Sequence, residues 1–444
     1  MMAYIVYFNV VTSKEIINSP YNVRLDSMAE RVVRGNIVDN KGEVLAKTRV
    51  ADDGTETRYY PYGKLYAHVV GYDQKGKSGL ESQQNFNLLT SHAFFLEQIS
   101  NQVREKKNLG DTIVTTLDTK LQQAAYDALG SYKGAVVVMD VTTGKILVEV
   151  SKPTFNPNEI SNDWEWLTTD ENSTLLNRAT QGAYAPGSTF KLVTTLAYMR
   201  ENPNYEDYSY LCENHIVIGD TTIHCANKKK HGEQNLAESL AHSCNTSYVN
   251  MGVGLSKLKY KNTAEDLLFN KKLPCDLPYR KSSFEIDSKS TTEEVMMTAI
   301  GQGHTMASPY HMTLISAAIA NGGILMKPYL VSEIQNYAGT TIKRYKPQSY
   351  KTLMSSKEAA QLKEYMCDVV EYGTATALNN GNYTVAGKTG TAEYSSDKDK
   401  AHSWFTGFSN VDNPELAITV VVESADQSGK SAVSVAKKVF DAYY

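Results

Sequence analysis

The chain has 444 residues, too many for one ordinary domain, and this length suggests about two or three domains. Hydrophobic residues make up 41% of the chain and charged residues 21%. This composition is typical of globular proteins and excludes a disordered chain or a membrane protein with many spans. The net charge of -4 leaves no surplus of positive charge for a phosphate backbone, so nucleic acid is not expected as a partner.

The chain begins with the apolar run MMAYIVYFNVV, about half as long as the roughly 20 residues that cross a bilayer. It lacks the basic segment and the small-residue cleavage site of a signal peptide. We interpret residues 1–20 as the end of a membrane anchor, whose start lies outside this numbering, followed by a linker. The alternative is a buried or frayed N-terminus.

Residues 21–130 are mixed in character, with strand-like stretches punctuated by turn residues such as Asp39–Gly42 and Asp52–Gly54. A helical pattern follows in LDTKLQQAAYDAL, where the leucines recur at helical spacing. These patterns predict a small N-terminal α+β module. We place the domain boundary near Ser131.

The remainder, residues 131–444, opens with two apolar runs joined by Thr142-Thr143-Gly144, which predict a hairpin. From Ser188 to about Ala320 the apolar spacing is mostly helical. Strands return later, and a helix closes the chain; these segments are YTVAGKTGTAEY, SWFTGFSN, LAITVVVES and SAVSVAKKVFDAYY. The pattern predicts an α/β domain with a mostly antiparallel sheet flanked by helices.

Ser188-Thr-Phe-Lys191 is the first of three short elements that could carry chemistry. It follows Pro186-Gly187, which breaks the chain, and precedes an apolar helical run. The Ser188 hydroxyl is therefore expected at a helix N-terminus, where the dipole favours developing negative charge. Lys191 lies on the same helix face and could reach that oxygen. If burial lowers its pKa, a neutral Lys191 could take the serine proton.

The other two elements are Ser243-Cys-Asn245 and Lys388-Thr-Gly390. The second lies in a β-branched stretch, where glycine permits the close approach of a substrate backbone. Ser-x-x-Lys also occurs elsewhere in the chain, as at Ser256 to Lys259, so no single match is specific. The three elements together, in this order and roughly 55 and 145 residues apart, are typical of penicillin-binding proteins and serine β-lactamases.

The chain resembles class B penicillin-binding proteins over nearly its whole length. The segments that carry this resemblance beyond the three elements are Val33–Ala46, Gly79-Leu80-Glu81, Thr115–Asp118 with Leu121-Gln122, Gly301-Gln302-Gly303, Ala320–Gly323 and Trp404–Phe408. The lack of a preceding glycosyltransferase region favours class B over class A. The resemblance implies a dimerisation-like pedestal at residues 21–130 and, at 131–444, a β-lactamase-like transpeptidase domain with a helical subdomain.

The resemblance also implies how the first two elements act. Ser188 attacks the carbonyl of the penultimate D-alanine of a peptidoglycan stem peptide and forms an acyl-enzyme. Lys191 is the base for that step. Ser243 relays a proton to the leaving group, and Asn245 holds the substrate amide.

The third element is implied to bind the substrate. Lys388 supplies positive charge, Gly390 lets the substrate backbone approach, and the hydroxyls of Thr389 and Thr391 suit the terminal carboxylate. The backbone N–H groups of Ser188 and Thr391 form the oxyanion hole, where a donor contributes about 3 to 4 kcal/mol.

The implied partners are the nascent glycan strand, β-lactam antibiotics that acylate Ser188, and a polytopic glycan polymerase of the shape, elongation, division and sporulation (SEDS) type. The implied location is the outer face of the cell membrane, on a single-pass anchor. No cofactor is expected.

The five cysteines are too few for a disulfide scaffold, and their odd number leaves at least one unpaired. Cys212 and Cys225 lie near His224 and His231, but the spacing is irregular for a zinc site. We favour a disulfide between these two cysteines; free thiols and zinc are the alternatives, and no metal is expected. Cys244 replaces the usual aspartate of the middle element. We expect its side chain to pack inward, with a redox role as the alternative.

Two other functions remain open. A D,D-carboxypeptidase or serine β-lactamase on the same fold needs efficient attack of water on the acyl-enzyme, and the chain has no Glu-x-x-Leu-Asn element of the class A hydrolases. A non-catalytic penicillin sensor or cell-wall scaffold predicts a broken motif or signalling regions, and the chain shows neither. The aromatic pair Trp404-Phe405 is expected in the core.

Overall fold

The computed structural model describes residues 23–94, 99–101, 103–104, 106–393, 401–425 and 431–444. The predicted anchor segment at residues 1–20 lies outside these ranges. No helix within them is both long enough and apolar enough to cross a membrane.

The N-terminal part contains short strands and helices. Its strands are β1 (Val32–Val33), β2 (Ile37–Val38), β3 (Val44–Val50), β4 (Glu56–Tyr59), β5 (Asn108–Leu109) and β6 (Thr112–Thr115), and its helices are α1 (Val23–Ala29), α2 (Gly79–Gln83), α3 (Asn85–Leu88) and α4 (Thr119–Leu129). Helix α4 is the helix that the leucine spacing predicts. Asp118 caps its N-terminus, and the Asp118 side chain accepts a hydrogen bond from the backbone N–H of Leu121.

The C-terminal part contains the longer elements. Its strands are β7 (Gly134–Asp140), β8 (Ile146–Lys152), β9 (Tyr210–Cys212), β10 (His215–Ile218), β11 (Thr221–His224), β12 (Gly232–Gln234), β13 (Ile324–Met326), β14 (Val331–Gln335), β15 (Thr341–Arg344), β16 (Ser349–Thr352), β17 (Val385–Glu393), β18 (Ala401–Ser409) and β19 (Leu416–Val422). Its helices are α5 (Ile160–Thr169), α6 (Lys191–Glu201), α7 (Leu236–Ala241), α8 (Asn245–Gly254), α9 (Lys257–Asp266), α10 (Thr292–Ala299), α11 (Pro309–Ala320), α12 (Ser356–Glu371) and α13 (Ala432–Tyr443).

The central sheet has five antiparallel strands in the order β17-β18-β19-β7-β8. The predicted hairpin supplies two of them and the predicted late strands supply the other three, so the sequence interpretation is confirmed. Every residue of β19 is buried, and helices α11 and α13 pack against this strand. Trp404 and Phe405 of β18 are buried in the core, as expected.

A second sheet joins distant parts of the chain in the order β15-β14-β6-β2-β3-β4. Strand β6 runs parallel to β2 and antiparallel to β14. The sequence assigns residues 331–344 to the C-terminal domain, but their strands extend the sheet of the N-terminal module. The boundary near Ser131 stays a prediction.

A buried ion triad holds the N-terminal module together. The Arg34 and Arg58 side chains each donate a hydrogen bond to the Glu81 carboxylate, at 2.6 and 2.7 Å. Burial alone would raise the pKa of Glu81, but the two guanidinium charges outweigh it and hold that pKa below its ordinary value. Arg34 and Glu81 belong to two segments that are far apart in sequence, so this triad fixes how those segments pack.

We predict that Glu81→Ala lowers the free energy of unfolding by about 3 to 5 kcal/mol, because it leaves two buried guanidinium groups without their counter-charge. Denaturant unfolding measures this loss. The control is Lys271→Ala, which breaks an exposed pair with Glu265 and should cost about 0 to 1 kcal/mol. Equal losses in the two variants would show that the triad does not stabilise the module.

Candidate active site

Ser188 lies in a single 3-10 turn, Gly187–Phe190, that runs directly into helix α6. The sequence predicts this position at the start of a helix. Gly187 has a φ of 53°, and its N–H donates a 2.9 Å hydrogen bond to the Gly301 carbonyl. A Cβ added at Gly187 would lie only 2.4 Å from the carbonyl oxygen of Thr391. Glycine therefore lets the serine turn pack against β17.

Lys191, the first residue of α6, is fully buried. Its ammonium donates hydrogen bonds to the Ser243 carbonyl at 2.7 Å, the Ser243 hydroxyl at 3.2 Å and the Asn245 side-chain oxygen at 2.8 Å. In the part of the chain that the structure describes, no hydrogen bond joins this ammonium to the Ser188 hydroxyl. The first and second elements thus meet through Lys191.

Ser243 occupies the short turn between α7 and α8 in a left-handed conformation, with a φ of 54°. A residue other than glycine adopts this conformation at a cost of order 1 to 3 kcal/mol, and such strain is concentrated at functional sites. The Ser243 hydroxyl accepts a second hydrogen bond, from the Lys388 ammonium at 3.0 Å. One hydroxyl therefore lies between two lysines that are distant in sequence.

The environment of the two lysines favours their neutral forms. Burial lowers the pKa of Lys191 to about 7. Burial also lowers the pKa of Lys388 well below its ordinary value, and the positive charge of Lys191 adds to the effect. Both ammonium groups contact one hydroxyl, so a positive charge on one lysine disfavours a positive charge on the other.

Asn245, the first residue of α8, connects Lys191 to the neighbouring hairpin. Its side-chain oxygen accepts from Lys191, and its NH₂ group donates to the His224 carbonyl at 3.0 Å. A 2.7 Å hydrogen bond between the Thr195 and Tyr248 hydroxyls also joins helices α6 and α8. These contacts fix the second element relative to the helix that begins at Lys191.

The third element lies on β17, at the edge of the central sheet. The hydroxyls of Thr389 and Thr374 are 2.6 Å apart. A Cβ added at Gly390 would lie 3.0 Å from the Thr189 methyl group, so this glycine keeps the strand close to the serine turn. Thr391 is exposed. The strand therefore presents polar groups beside Ser188.

The sequence interpretation missed Thr374 and the carbonyl of His224. Thr374 follows helix α12, and its N–H donates to the Ala241 carbonyl at 3.2 Å. The Gly373-Thr374 pair was a turn signal without a functional motif around it. A backbone carbonyl such as that of His224 leaves no trace in residue type, so only the folded chain reveals it.

The expected disulfide between Cys212 and Cys225 is not formed. Both are free thiols, and their sulfur atoms are 3.6 Å apart, whereas a disulfide bond is about 2.05 Å long. Cys244 is fully buried, as expected from its inward packing. Its sulfur lies 3.8 Å from that of Cys225.

Comparisons with known proteins identify the family. Residues 134–441 match the penicillin binding protein transpeptidase domain, and residues 34–113 match the penicillin binding protein A dimerisation domain. The chain is 30% identical to the peptidoglycan D,D-transpeptidase PbpA of Mycolicibacterium smegmatis, over 90% of this chain and 87% of the relative. The chain belongs to the class B penicillin-binding proteins. It is also 27% identical to the peptidoglycan D,D-transpeptidase MrdA of Acinetobacter baumannii, over 87% of this chain and 66% of that relative.

Solved structures of penicillin-binding proteins have the same fold. The D,D-transpeptidase domain of a peptidoglycan glycosyltransferase from Eggerthella lenta superposes with a TM-score of 0.84 at 32% identity, covering 93% of this chain and 98% of that one. Penicillin-binding protein A of M. tuberculosis, in an imipenem acyl-enzyme complex, gives a TM-score of 0.84 at 27% identity, covering 94% and 99%. The predicted family and fold class are confirmed. The roles of individual site residues stay predictions.

We predict that the rate of acylation by a fluorescent penicillin rises with pH through about 7, the pKa of Lys191. Only neutral Lys191 can accept the serine proton, so the rate should fall about tenfold for each pH unit below that value. Lys191→Arg should lose at least about 100-fold at every pH, because a guanidinium group does not deprotonate. A flat profile between about pH 6 and pH 8 would contradict this role for Lys191.

Proposed function

We propose that this penicillin-binding protein cross-links peptidoglycan stem peptides through an acyl-enzyme on Ser188. The observation that carries the proposal is the hydroxyl of Ser243 between the ammonium groups of Lys191 and Lys388, next to a serine turn packed on the edge strand. This arrangement offers a nucleophile, a base with lowered pKa and a proton path among neighbouring side chains. The transpeptidases among its relatives support the same reaction.

In the acylation step, the Ser188 oxygen attacks the carbonyl carbon of the penultimate D-alanine, and neutral Lys191 takes the hydroxyl proton. The backbone N–H groups of Ser188 and Thr391 stabilise the negative charge on the carbonyl oxygen. The C–N bond then breaks. A proton passes from Lys191 through the Ser243 hydroxyl to the leaving nitrogen, so that D-alanine departs as an amine.

Lys388 binds the terminal carboxylate of the donor peptide in this proposal. Without substrate its burial disfavours the charged form, as the lowered pKa indicates. An arriving carboxylate reverses this balance, because an opposite charge nearby raises the pKa of a lysine. The hydroxyls of Thr389 and Thr391 add hydrogen bonds to the same carboxylate. Charging Lys388 in turn favours neutral Lys191, the form that the acylation step requires.

In the second step, the amine of an acceptor stem peptide attacks the ester carbonyl, and a C–N bond forms as the C–O bond to Ser188 breaks. The amine proton passes through Lys191 to the Ser188 oxygen. The nascent glycan strand supplies this acceptor. A D,D-carboxypeptidase or a serine β-lactamase would use water instead, and a penicillin sensor would stop at the acyl-enzyme. The three motif elements keep their serine, lysine and asparagine positions and meet through hydrogen bonds, which favours turnover over a purely sensing role.

We predict that Ser188→Ala abolishes covalent labelling by a fluorescent penicillin, because the acylated oxygen is removed. Intact-mass measurement should find one drug adduct on the wild-type chain and none on the variant. The matched control is Ser256→Ala, which changes the serine of another Ser-x-x-Lys sequence, at the start of α9. Labelling of Ser188→Ala at the wild-type level would exclude this nucleophile.

The fate of the wild-type adduct separates transpeptidase from hydrolase. The penicillin adduct of a transpeptidase persists in water. When a stem-peptide donor is supplied instead, a transpeptidase transfers it to an added acceptor amine and releases D-alanine. Rapid release of hydrolysed drug would favour the β-lactamase. Release of D-alanine without transfer would favour the carboxypeptidase.

We further propose that residues 1–20 end a membrane anchor that holds the catalytic domain outside the cell, next to a polytopic glycan polymerase of the SEDS type. The apolar N-terminal run supports the anchor, and the family resemblance supports the partner. We expect a penicillin probe that cannot cross the membrane to label the protein on intact cells, and cross-linking to capture the polymerase. Labelling only after permeabilisation would contradict the location, and failure to capture the polymerase would contradict the partnership.

A further inference from the structure

Four side chains from separate segments meet beside the second motif element. They are Cys212 at the end of β9, Cys225 just after β11, His231 just before β12, and Cys244 between Ser243 and Asn245. Their three sulfur atoms and one histidine nitrogen all lie within 4.8 Å of one another. The three cysteines are buried.

The distances within this group fit one tetrahedral metal ion. The sulfur atoms of Cys212 and Cys225 are 3.6 Å apart, and those of Cys225 and Cys244 are 3.8 Å apart. The Nδ1 atom of His231 is 3.4 Å from the Cys212 sulfur. Zinc bonds of about 2.3 Å to sulfur and about 2.0 to 2.1 Å to nitrogen, at tetrahedral angles, place two sulfurs about 3.8 Å apart and sulfur and nitrogen about 3.5 Å apart.

The segment that carries three of these ligands has almost no apolar core of its own. Within residues 210–234 the fully buried side chains are those of Cys212, Cys225 and Gln234. Leu211 and Val217 are exposed, at 60% and 57%. Short strands with so little buried apolar surface usually need a disulfide or a metal to hold their shape, and the disulfide is not formed here.

The surroundings of the sulfur atoms also suit thiolate ligands. The buried Thr246 hydroxyl donates a hydrogen bond to the Cys212 sulfur at 3.2 Å, and it lies 3.4 Å from the Cys244 sulfur. Hydrogen bonds to the ligands are a regular part of metal sites because they orient the ligand atoms. The His231 ring stacks on the His242 ring, with centroids 5.7 Å apart and the planes at 3°, which fixes the orientation of the imidazole.

We propose that Cys212, Cys225, His231 and Cys244 bind one structural zinc ion. Three sulfurs and one imidazole nitrogen form a complete tetrahedral set, which leaves no open position for substrate and so assigns the ion to structure and not to catalysis. The spacing of the four ligands along the chain is irregular because strand pairing brings them together. Strand β9 pairs with β12, and this pairing sets Cys212 opposite Gly232.

The ion connects two parts of the candidate active site, namely the turn that carries Ser243 and the hairpin that ends before Cys225. Cys244 lies between Ser243 and Asn245 in sequence, so binding at its sulfur fixes the turn that carries both. Asn245 also donates to the carbonyl of His224, which immediately precedes Cys225. The metal therefore ties the turn to the hairpin. This effect on acylation rests on the proposed function, whereas metal binding itself does not.

The first test measures zinc in the purified full-length chain, equilibrated with zinc and then desalted. We expect about one zinc ion per chain in the wild type and a loss of most of it in Cys225→Ser. The matched control is Cys367→Ser, a partly buried cysteine on α12, which should keep the ion. Wild-type chain without bound zinc, a Cys225→Ser variant with as much zinc as the wild type, or a native disulfide between Cys212 and Cys225 would overturn the site.

A second measurement needs no variant, so it stands even if Cys225→Ser does not fold. The wild-type chain is stripped with a chelator under reducing conditions and titrated with Co²⁺. Absorption bands of tetrahedral cobalt with thiolate ligands should grow to one equivalent and disappear when Zn²⁺ is added. Absorption typical of octahedral cobalt with oxygen ligands would overturn the assignment.

The rate of acylation measures the effect of the zinc ion on the candidate active site. Removal of zinc should slow acylation by a fluorescent penicillin at least about tenfold, and added Zn²⁺ should restore the rate. An unchanged rate in a stripped chain would overturn the coupling to the active site. Failure of the proposed function looks different, because Ser188→Ala would then label normally while zinc content stayed at one ion per chain.

Discussion

Two buried lysines that contact one serine hydroxyl determine how the candidate active site is built. Moving an ammonium group out of water costs on the order of several kcal/mol, and a second ammonium nearby adds repulsion. The protein therefore stabilises the neutral forms, as the lowered pKa values of Lys191 and Lys388 indicate. This cost is also the source of reactivity, because a lysine without its proton is a base.

The scaffold brings these groups together from three segments that are far apart in sequence. Helix α6 carries Lys191, the strained turn before α8 carries Ser243, and edge strand β17 carries Lys388. Gly187 permits the contact between the serine turn and the strand. A zinc ion bound at Cys244 would further stabilise that strained turn, which Lys191 and Lys388 already contact.

Local sequence patterns predicted many helices and strands of this protein. The features that they missed depend on contacts between segments that are distant in sequence. Helix α4, the hairpin β7–β8 and the late strands follow from apolar spacing, and the three motif elements do meet. The joining of β14 to β6 was not predictable, because register between distant strands leaves no local signal. The disulfide expectation was wrong, since residue spacing alone did not reveal that Cys244 and His231 lie beside Cys212 and Cys225.

Titration of the Lys191 side chain itself shows whether burial makes this residue a base near neutral pH. NMR of lysine carbons in the wild-type chain, with Lys191→Arg used to assign the signal, measures that pKa. We expect a pKa of about 7. A Lys191 that titrates near the ordinary lysine value of 10.5 would contradict it.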